Sequence, residues 1–411
     1  MAAVQQLSAA YPLGSRLNEA GALEVGGCDA RDLAREFGTP CYVVAEDDLR
    51  ARARAFLAAF RARTDRFGVL FATKAFPCTA VMRVLREEGL GCDVASAGEL
   101  HLALRAGFEP QRIVMHGNAK SEAELRAALD AGVGQVVLDN FDEIDRLQRL
   151  TDSQSVLLRV TPGVRGRTHD FISTGQADSK FGFSLDDARV AIDRLGDTLA
   201  GLHMHIGSQI LELAPFRTAV EAIADLGRFD TYNLGGGLGV AYTDERVPSL
   251  DDYVATKVDA VREVFGPDAT ILDEPGRALT ANSTVTLYTV QSVKRNVSTW
   301  VAVDGGMSDN LRPMLYGARY EAQVVDRFGG ATPCRLAGKH CESSDVIVDD
   351  VLLDDPRPGD VIVTPATGAY GYAMANNYNG VPRPPVVVAG GGDARLVVRR
   401  ETLEDLVARD V

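Results

Sequence analysis

The pattern of hydrophobic and polar positions changes about two thirds of the way along the chain. Before that point, short apolar runs alternate with segments that carry Ala, Leu, Glu and Arg at helical spacing. The apolar runs predict eight strands, at residues 68–73, 91–95, 112–117, 135–140, 155–160, 200–207, 231–234 and 269–273. Segments 121–131 and 216–226 are typical of amphipathic helices, and Ser121 followed by Glu124 predicts a capping box at one helix start.

This alternation of elements indicates an α/β fold. Continuous apolar strands separated by helices are typical of a parallel sheet that is covered on both faces. Eight such units within about 210 residues favour a closed (β/α)8 barrel of the TIM type, with a doubly wound open sheet as the alternative. In a barrel, the carboxyl ends of the strands and the loops after them form the active site.

After residue 285 the pattern is that of short strands separated by turns. Strands are predicted at residues 284–293, 299–303, 345–348, 360–364, 385–389 and 394–399. This part of the chain is therefore expected to form an all-β domain, like a sandwich or a small barrel. Apolar runs at 22–25 and 41–44 could add strands to it. The predicted organisation is an N-terminal segment (1–45), a barrel (46–284) and a C-terminal β domain (285–411).

Composition and charge narrow the class of protein. The formal net charge of −14 makes nucleic acid and anionic membranes poor partners. We expect no signal peptide, because the first residues lack a basic start followed by an apolar run. No apolar stretch approaches the roughly 18 residues of a membrane span. The six cysteines show no paired metal spacing, which favours a reduced, cytoplasmic setting.

Lys74 is the first candidate for chemistry, because it directly follows the apolar run of the first predicted barrel strand. An amine at this end of a barrel points into the pocket, and a desolvated lysine can form a Schiff base with an aldehyde cofactor. Taken alone, Lys74 is better explained as a surface lysine at the barrel rim.

Two glycine-containing motifs strengthen the case for a cofactor. Asn233-Leu234-Gly235-Gly236-Gly237-Leu238-Gly239 follows the seventh predicted strand, and Glu274-Pro275-Gly276-Arg277 follows the eighth. Barrel ligands often place a phosphate between these two loops, where backbone N–H groups can surround it. Each motif alone is weak evidence, since glycine-rich turns and surface ion pairs are common.

The sixth predicted strand ends in His203-Met204-His205-Ile206-Gly207-Ser208-Gln209. His205 could stack on a flat cofactor, and Ser208 could bind its phosphate. His203 and His205 would share one side of a strand, so a metal site is the alternative. No cysteine or carboxylate cluster accompanies them in the sequence, and we predict no metal.

Three clusters in the predicted β domain also carry reactive or charged groups. Arg312 and Tyr316 lie four residues apart, Cys341 stands beside Glu342, and Tyr370 lies between glycines. By its chemistry alone, Cys341 is better explained as a buried structural cysteine than as a reactive one.

Taken together and in order, these segments resemble the diaminopimelate decarboxylases, pyridoxal-phosphate enzymes of the alanine-racemase-like fold. The resemblance spans essentially the whole chain. It rests on the clusters already quoted and on four more: Phe71-Ala72-Thr73-Lys74-Ala75-Phe76, Asp93-Val94-Ala95-Ser96-Ala97-Gly98-Glu99-Leu100, His116-Gly117-Asn118 and Ser179-Lys180-Phe181-Gly182. Ala119 and Ser344 depart from the family pattern, which usually has Asn and Gly there, and these departures bear on the fine tuning of substrate binding.

The resemblance implies a role for each candidate residue. Lys74 would hold pyridoxal 5'-phosphate covalently, Glu274 would face the pyridine nitrogen, and Cys341 would protonate the α-carbon. His205 would stack on the cofactor ring. The remaining cofactor contacts would come from Ser208, Gly235, Gly236, Gly237, Gly276, Arg277 and Tyr370. Substrate contacts would come from Arg277, Arg312, Tyr316, Glu342 and Tyr370. The family also implies a homodimer in which Cys341 and Glu342 serve the partner's active site.

The expected reaction is therefore the decarboxylation of meso-2,6-diaminopimelate to L-lysine. The nearest alternative is the same chemistry on lysine, ornithine or a carboxylated polyamine. Arg312 and Glu342 favour a substrate with two amino-acid heads, because such a substrate needs a cation for its carboxylate and an acid for its ammonium. Racemisation is a further alternative, but a racemase would carry a cation at the position of Glu274. A regulatory protein without activity would be expected to lack Lys74 or Cys341.

Overall fold

A computed structural model describes residues 7–164 and 179–411, so the first six residues of the predicted N-terminal segment lie outside it. The described chain forms two compact units. The barrel unit comprises residues 52–239 and 247–278, and the β unit comprises the residues up to 51 together with 240–246 and 279–411. The division of domains after residues 45 and 284 stays a proposal.

The N-terminal part of the chain contributes strands, as the apolar runs predict. Its elements are β1 Arg16–Leu17, β2 Leu23–Val25, β3 Cys28–Asp29, α1 Ala30–Phe37, β4 Cys41–Ala45 and α2 Glu46–Arg61. Strands β1, β2 and β3 form a small antiparallel sheet of their own, whereas β4 joins the large sheet of the β unit. Helix α1 is capped by Asp29, whose side chain accepts a hydrogen bond from the backbone N–H of Arg31.

Eight parallel strands form a closed barrel, as predicted. They are β5 Phe67–Ala72, β6 Gly91–Val94, β7 Ile113–Met115, β8 Gln135–Leu138, β9 Val156–Arg159, β10 Leu199–His203, β11 Thr231–Asn233 and β12 Thr270–Asp273. The barrel closes where β12 pairs with β5. One buried side chain from each of four strands, Leu70, Val114, Val137 and Leu157, belongs to a common hydrophobic cluster. All eight predicted strands are confirmed, and each predicted run extends one to four residues too far at one or both ends, into the adjoining loops.

The helices of this part of the chain follow the strands in turn. They are α3 Thr79–Glu87, α4 Ala97–Ala106, α5 Glu122–Ala131, α6 Phe141–Gln148, α7 Leu185–Leu195, α8 Ala214–Ala222, α9 Leu250–Phe265 and α10 Arg277–Thr280. The capping box of Ser121 and Glu124 is confirmed at the start of α5. The predicted helix 216–226 is α8 followed by a short 3-10 turn.

The remaining elements belong to the β unit. They are β13 Thr284–Arg295, β14 Thr299–Val303, α11 Arg312–Tyr316, β15 Gln323–Val324, β16 Thr332–Ala337, β17 Val346–Leu353, β18 Val361–Thr364, α12 Gly371–Met374, β19 Val386–Gly390, β20 Asp393–Val398 and α13 Leu403–Val407. The main path of its sheet runs β17-β16-β14-β13-β4-β19-β20. Strands β15 and β16 were not predicted. Among the described helices, none combines the length and the apolar character needed to span a bilayer.

Candidate active site

The loops after β11 and β12 meet at the carboxyl end of the barrel. The backbone N–H of Glu274 donates a hydrogen bond to the carbonyl of Gly235 (3.1 Å). The two loops approach so closely that a Cβ on Gly236 would lie 2.1 Å from the Glu274 carbonyl oxygen. A Cβ on Gly235, which has φ of +58°, would lie 2.6 Å from Nδ1 of His205. Only glycine therefore fits at these two positions.

Three side chains surround the buried carboxylate of Glu274. Asn233 Nδ2 donates a hydrogen bond to Oε1 at 2.7 Å. His116 Nε2 lies 2.8 Å from Oε1, and His203 Nε2 lies 3.3 Å from Oε2. Asn233 also accepts a hydrogen bond from the backbone N–H of Gly235 through Oδ1 (3.0 Å), so one amide fixes both the carboxylate and the glycine loop.

The charge state of this cluster follows from burial and from its neighbours. Burial alone would raise the pKa of Glu274, but His116 and His203 beside it lower the pKa well below the usual carboxyl range. Burial, and then the charge of Glu274, raises the pKa of Asp93 well above its ordinary value. The surroundings of these two buried carboxyl groups therefore favour the anion at Glu274 and the protonated form at Asp93. Burial also lowers the pKa of His203 to about 4, so this ring is neutral at neutral pH.

Lys74 lies in a 3-10 turn, Thr73–Ala75, directly after β5, with an exposed side chain. Its charge acts on Asp93, on Glu99 and on the imidazole of His205. Burial, and then Lys74, lowers the pKa of His205 well below its usual value, so this ring is neutral as well. His205 lies two residues beyond the end of β10, in the loop rather than at the end of the strand.

Arg277 and Ser208 add polar groups to the same end of the barrel. The guanidinium donates to Ser208 Oγ through Nη2 (2.9 Å) and through Nε (3.3 Å). A Cβ on Gly276 would lie 2.9 Å from the Cβ of Ala75, which brings the loop after β12 against the turn that carries Lys74. A cation, a hydroxyl and closely packed glycine backbone are groups that bind phosphate. The buried anion of Glu274 suits a protonated ring nitrogen, and the exposed Lys74 suits an aldehyde. Together with the phosphate-binding groups, these residues fit pyridoxal phosphate.

The candidate residues of the β unit fall into two groups. In the first, the guanidinium of Arg312 is buried, lies 4.6 Å from the ring centroid of Tyr242 and donates to the hydroxyl of Tyr320 (2.5 Å). Tyr370 acts on the same guanidinium electrostatically and has a left-handed backbone, with φ of 65°. Tyr316 ends the helix that Arg312 begins and is half-buried.

The second group lies in the loop between β16 and β17, where Cys341 and Glu342 are exposed. The prediction from chemistry alone that Cys341 is buried is therefore wrong for the single chain. The loop itself is fixed: the backbone N–H of Cys341 donates to Asn379 Oδ1 (2.8 Å), and His340 Nδ1 lies 2.6 Å from Asp345 Oδ2. Ser344 Oγ donates to Glu342 Oε1 (3.3 Å), so this departure from the family pattern bears on a predicted substrate ligand.

Three residues that hold Glu274 received no role from the sequence. His116 and Asn233 stood inside motifs that carry the family resemblance, and His203 was considered only as a metal ligand. His116, His203 and Glu274 also bring three potential metal-ligand atoms within 4.8 Å of one another. In this cluster the two imidazoles and the carboxylate already contact each other. The sequence did contain a signal for these residues. His116, His203 and Asn233 lie at or directly after the carboxyl ends of barrel strands, where polar side chains are expected to converge at one end of the barrel.

Comparisons with known proteins show the family of this chain. Residues 46–281 match the model of the pyridoxal-binding domain of pyridoxal-dependent decarboxylases. Diaminopimelate decarboxylase of Actinosynnema pretiosum is 48% identical over 98% of this chain and 95% of its own length. The enzyme of the same name from Bacillus subtilis is 46% identical over 97% of each chain.

Solved structures give the same result. Diaminopimelate decarboxylase from M. jannaschii, in co-complex with L-lysine, has a TM-score of 0.90 and 32% identity over 97% of each chain. The Helicobacter pylori enzyme, also complexed with L-lysine, has a TM-score of 0.87 and 32% identity over 92% of this chain and 98% of its own. A lysine/ornithine decarboxylase from Vibrio vulnificus, 24% identical, shares the fold. This chain therefore belongs to the pyridoxal-dependent decarboxylases, and within them to the family of the diaminopimelate decarboxylases.

Proposed function

We propose that this protein decarboxylates meso-2,6-diaminopimelate to L-lysine with pyridoxal 5'-phosphate, as the last step of lysine biosynthesis. The observation that carries the reaction type is the buried Glu274 anion, fixed by Asn233, His116 and His203. An anion at this position suits a protonated pyridine nitrogen, whereas a racemase would be expected to place a cation there. The substrate is supported by the names of relatives that match nearly the whole chain.

The residues of the barrel unit would hold the cofactor. When bound, pyridoxal phosphate supplies an electron sink for the carbon that loses carbon dioxide. Lys74 would hold the aldehyde carbon covalently, and the neutral ring of His205 would lie against one face of the cofactor. Phosphate would be bound by Ser208, Gly235, Gly236, Gly237, Gly276 and Arg277, with Tyr370 as a further contact. Because Glu274 is desolvated and already fixed, it would act on the ring nitrogen without reorganising.

The β unit would supply the groups that distinguish the substrate. Arg312 would bind the distal carboxylate of diaminopimelate, and Glu342 its distal ammonium, with Tyr316, Tyr370 and Arg277 as additional contacts. Tyr242 and Tyr320 restrict the orientations of the Arg312 guanidinium, which limits the entropy that substrate binding must remove. Cys341 would deliver a proton from Sγ to the α-carbon after carbon dioxide has left.

We further propose a homodimer in which Cys341 and Glu342 complete the partner's active site. The exposure of both residues in a single chain, on a loop that is held in place by Asn379 and Asp345, supports this arrangement. A catalytic thiol on a fixed, exposed loop is suited to a site that a second subunit closes.

Mixed subunits test the dimer. Lys74→Ala and Cys341→Ala homodimers should each be inactive. After subunit exchange, heterodimers would contain one intact site, and random reassortment should restore about a quarter of the unmutated activity. No recovery, with exchange shown independently by a tagged subunit, would indicate that each site is built within one chain.

The cytoplasm is the proposed location, since all six cysteines are free thiols, as is typical of a reducing compartment.

The reaction itself is tested by incubating the purified protein with meso-diaminopimelate, with and without added pyridoxal phosphate. The proposal predicts equal amounts of L-lysine and carbon dioxide, and a requirement for the cofactor. Interconversion of diaminopimelate stereoisomers without release of carbon dioxide would indicate a racemase instead.

A further inference from the structure

A buried lysine lies behind the glycine loop and has no role in the chemistry described so far. Lys257 belongs to α9 and has an exposed fraction of 0%. Its Nζ lies 2.5 Å from Asp273 Oδ1, donates to the hydroxyl of Tyr253 (2.5 Å), and stands 4.7 Å from the ring centroid of Phe216. Tyr253 in turn donates to the same Asp273 oxygen (2.9 Å). The result is a closed network of an ammonium, a phenol and a carboxylate inside the barrel unit.

The same ammonium contacts the glycine loop directly. Nζ donates to the carbonyl oxygen of Gly235 (2.9 Å) and to that of Leu234 (3.4 Å). The Gly235 carbonyl also accepts the backbone N–H of Glu274, the residue that follows Asp273. Lys257 therefore joins the loop after β11 to the strand end that carries Glu274.

These contacts fix the direction in which the loop presents its N–H groups. Because a trans peptide is planar, the carbonyl of one residue and the N–H of the next point to opposite sides. With the Gly235 carbonyl directed at Lys257, the N–H of Gly236 is directed away from it. The N–H of Gly235 is held by Asn233 Oδ1. The face of the loop opposite Lys257 thus gains a donor suited to an anion.

Stability alone does not account for a lysine at this position. Its neighbours on the buried face of α9 are apolar or aromatic, among them Val254, Val258 and Val261. Desolvation offsets most of the attraction within a buried ion pair, so an apolar side chain of similar size would often serve the fold as well.

We propose that Lys257 is a positioning residue that holds the Leu234 and Gly235 carbonyls and thereby presents the glycine loop to the cofactor phosphate. This inference rests on the proposed role of that loop in phosphate binding. It assigns Lys257 no contact with the cofactor or the substrate.

The test is the dependence of binding on the phosphate group, measured without turnover. Apoprotein is titrated with pyridoxal 5'-phosphate and, separately, with pyridoxal. The dissociation constant of pyridoxal divided by that of pyridoxal 5'-phosphate gives the contribution of the phosphate group to binding. Lys257→Met keeps the length and most of the volume of the side chain but cannot donate. We expect this variant to lower the ratio at least about tenfold, as the loss of charge-assisted hydrogen bonds would do, with pyridoxal affinity within about twofold of normal.

Lys120 provides a matched control. It is also buried in the barrel unit, where its Nζ binds two backbone carbonyls, those of Gly117 and Val137, and the carboxylate of Glu143. These carbonyls lie outside the glycine loop. Lys120→Met should therefore leave the ratio unchanged, even if it lowers stability as much as Lys257→Met does.

Four results would overturn either the positioning role of Lys257 or the proposed phosphate site. An unchanged ratio in Lys257→Met, or an equal fall in Lys120→Met, would refute the positioning role. If Lys257→Met does not fold, Lys257→Gln decides in its place: a several-fold fall in the ratio is expected, and an unchanged ratio refutes the role. If the unmutated protein binds the two ligands equally, the proposed phosphate site itself fails, whatever the variants do.

Discussion

Glu274 in the barrel unit and Cys341 in the β unit are held in contrasting ways. The Glu274 carboxylate is buried and contacts Asn233, His116 and His203. Cys341 is exposed, and its backbone N–H donates a hydrogen bond to Asn379. One group is fixed through its side chain, the other through the loop that carries it.

The contrast follows from what each group would act on. A carboxylate that sets the charge of a cofactor ring must be desolvated and fixed before the reaction, because its influence depends on low dielectric and constant distance. A thiol that delivers a proton must instead remain accessible to the substrate. The barrel unit therefore supplies most of the proposed cofactor contacts from groups that are already fixed, whereas Cys341 and Glu342 of the β unit are exposed groups that another surface would have to enclose.

The largest expected effect is at Lys74. Lys74→Ala should abolish covalent attachment of the cofactor and lower turnover by roughly 10⁴-fold or more, as loss of a covalent catalytic group does. Borohydride treatment followed by mass spectrometry of peptides would locate the linkage in the unmutated protein. Lys294→Ala, at an exposed position of β13, should keep both linkage and turnover. A reducible linkage that persists in Lys74→Ala would remove Lys74 from its proposed role.

A smaller loss is expected at Glu274. Glu274→Gln keeps the shape and hydrogen-bonding capacity of the side chain but removes its charge, so kcat should fall by about 10²- to 10³-fold, the range for loss of one preorganised electrostatic group. Cofactor should still bind, because Lys74 and the phosphate contacts remain. Absorbance titration of cofactor binding and steady-state kinetics would separate the two effects. A kcat within about threefold of normal would mean that the buried anion does not govern the chemistry.

The smallest effect concerns stability and pH. Because burial lowers the pKa of His203 from 6.5 to about 4, the unfolded chain binds a proton at this ring between those pH values and the folded chain does not. This contribution to stability is complete above pH 6.5 and is lost as the pH falls towards 4, by about 2 to 3 kcal/mol. Urea unfolding of cofactor-free protein should show this fall, and His203→Asn should flatten it. Parallel pH profiles for the two proteins would contradict a neutral, buried His203.

The sequence predicted the strands better than it predicted the contacts. Apolar runs located all eight barrel strands, because strands covered on both faces need continuous apolar residues. Strand β16 was missed, since Pro333 and Arg335 interrupt its apolar positions. The sequence also did not predict that Val240 and Tyr242 belong to the β unit. These residues directly follow the glycine loop of the barrel in sequence, but in space they group with the β unit.

Among the site residues, those that act through others were the hardest to predict. Glu274 and Lys74 stand at strand ends, which marks them as candidates in any barrel. Lys257 left a weaker signal: it lies on the buried face of α9, between Tyr253 and Val261 at four-residue spacing. A lysine on such a face needs a buried partner, but nothing in the sequence indicated that Asp273 and two carbonyls would provide it.

The most direct test of the proposed function compares kcat/KM for meso-diaminopimelate and for L-lysine with the same enzyme. Lysine lacks the distal carboxylate, so it would leave Arg312 buried without its anionic partner, at a cost of about 3 to 5 kcal/mol. The account predicts a preference for diaminopimelate of roughly a hundred- to several-thousand-fold, and Arg312→Ala should remove most of it. Comparable values for the two substrates in the unmutated enzyme would contradict the assignment and favour a decarboxylase of lysine or ornithine.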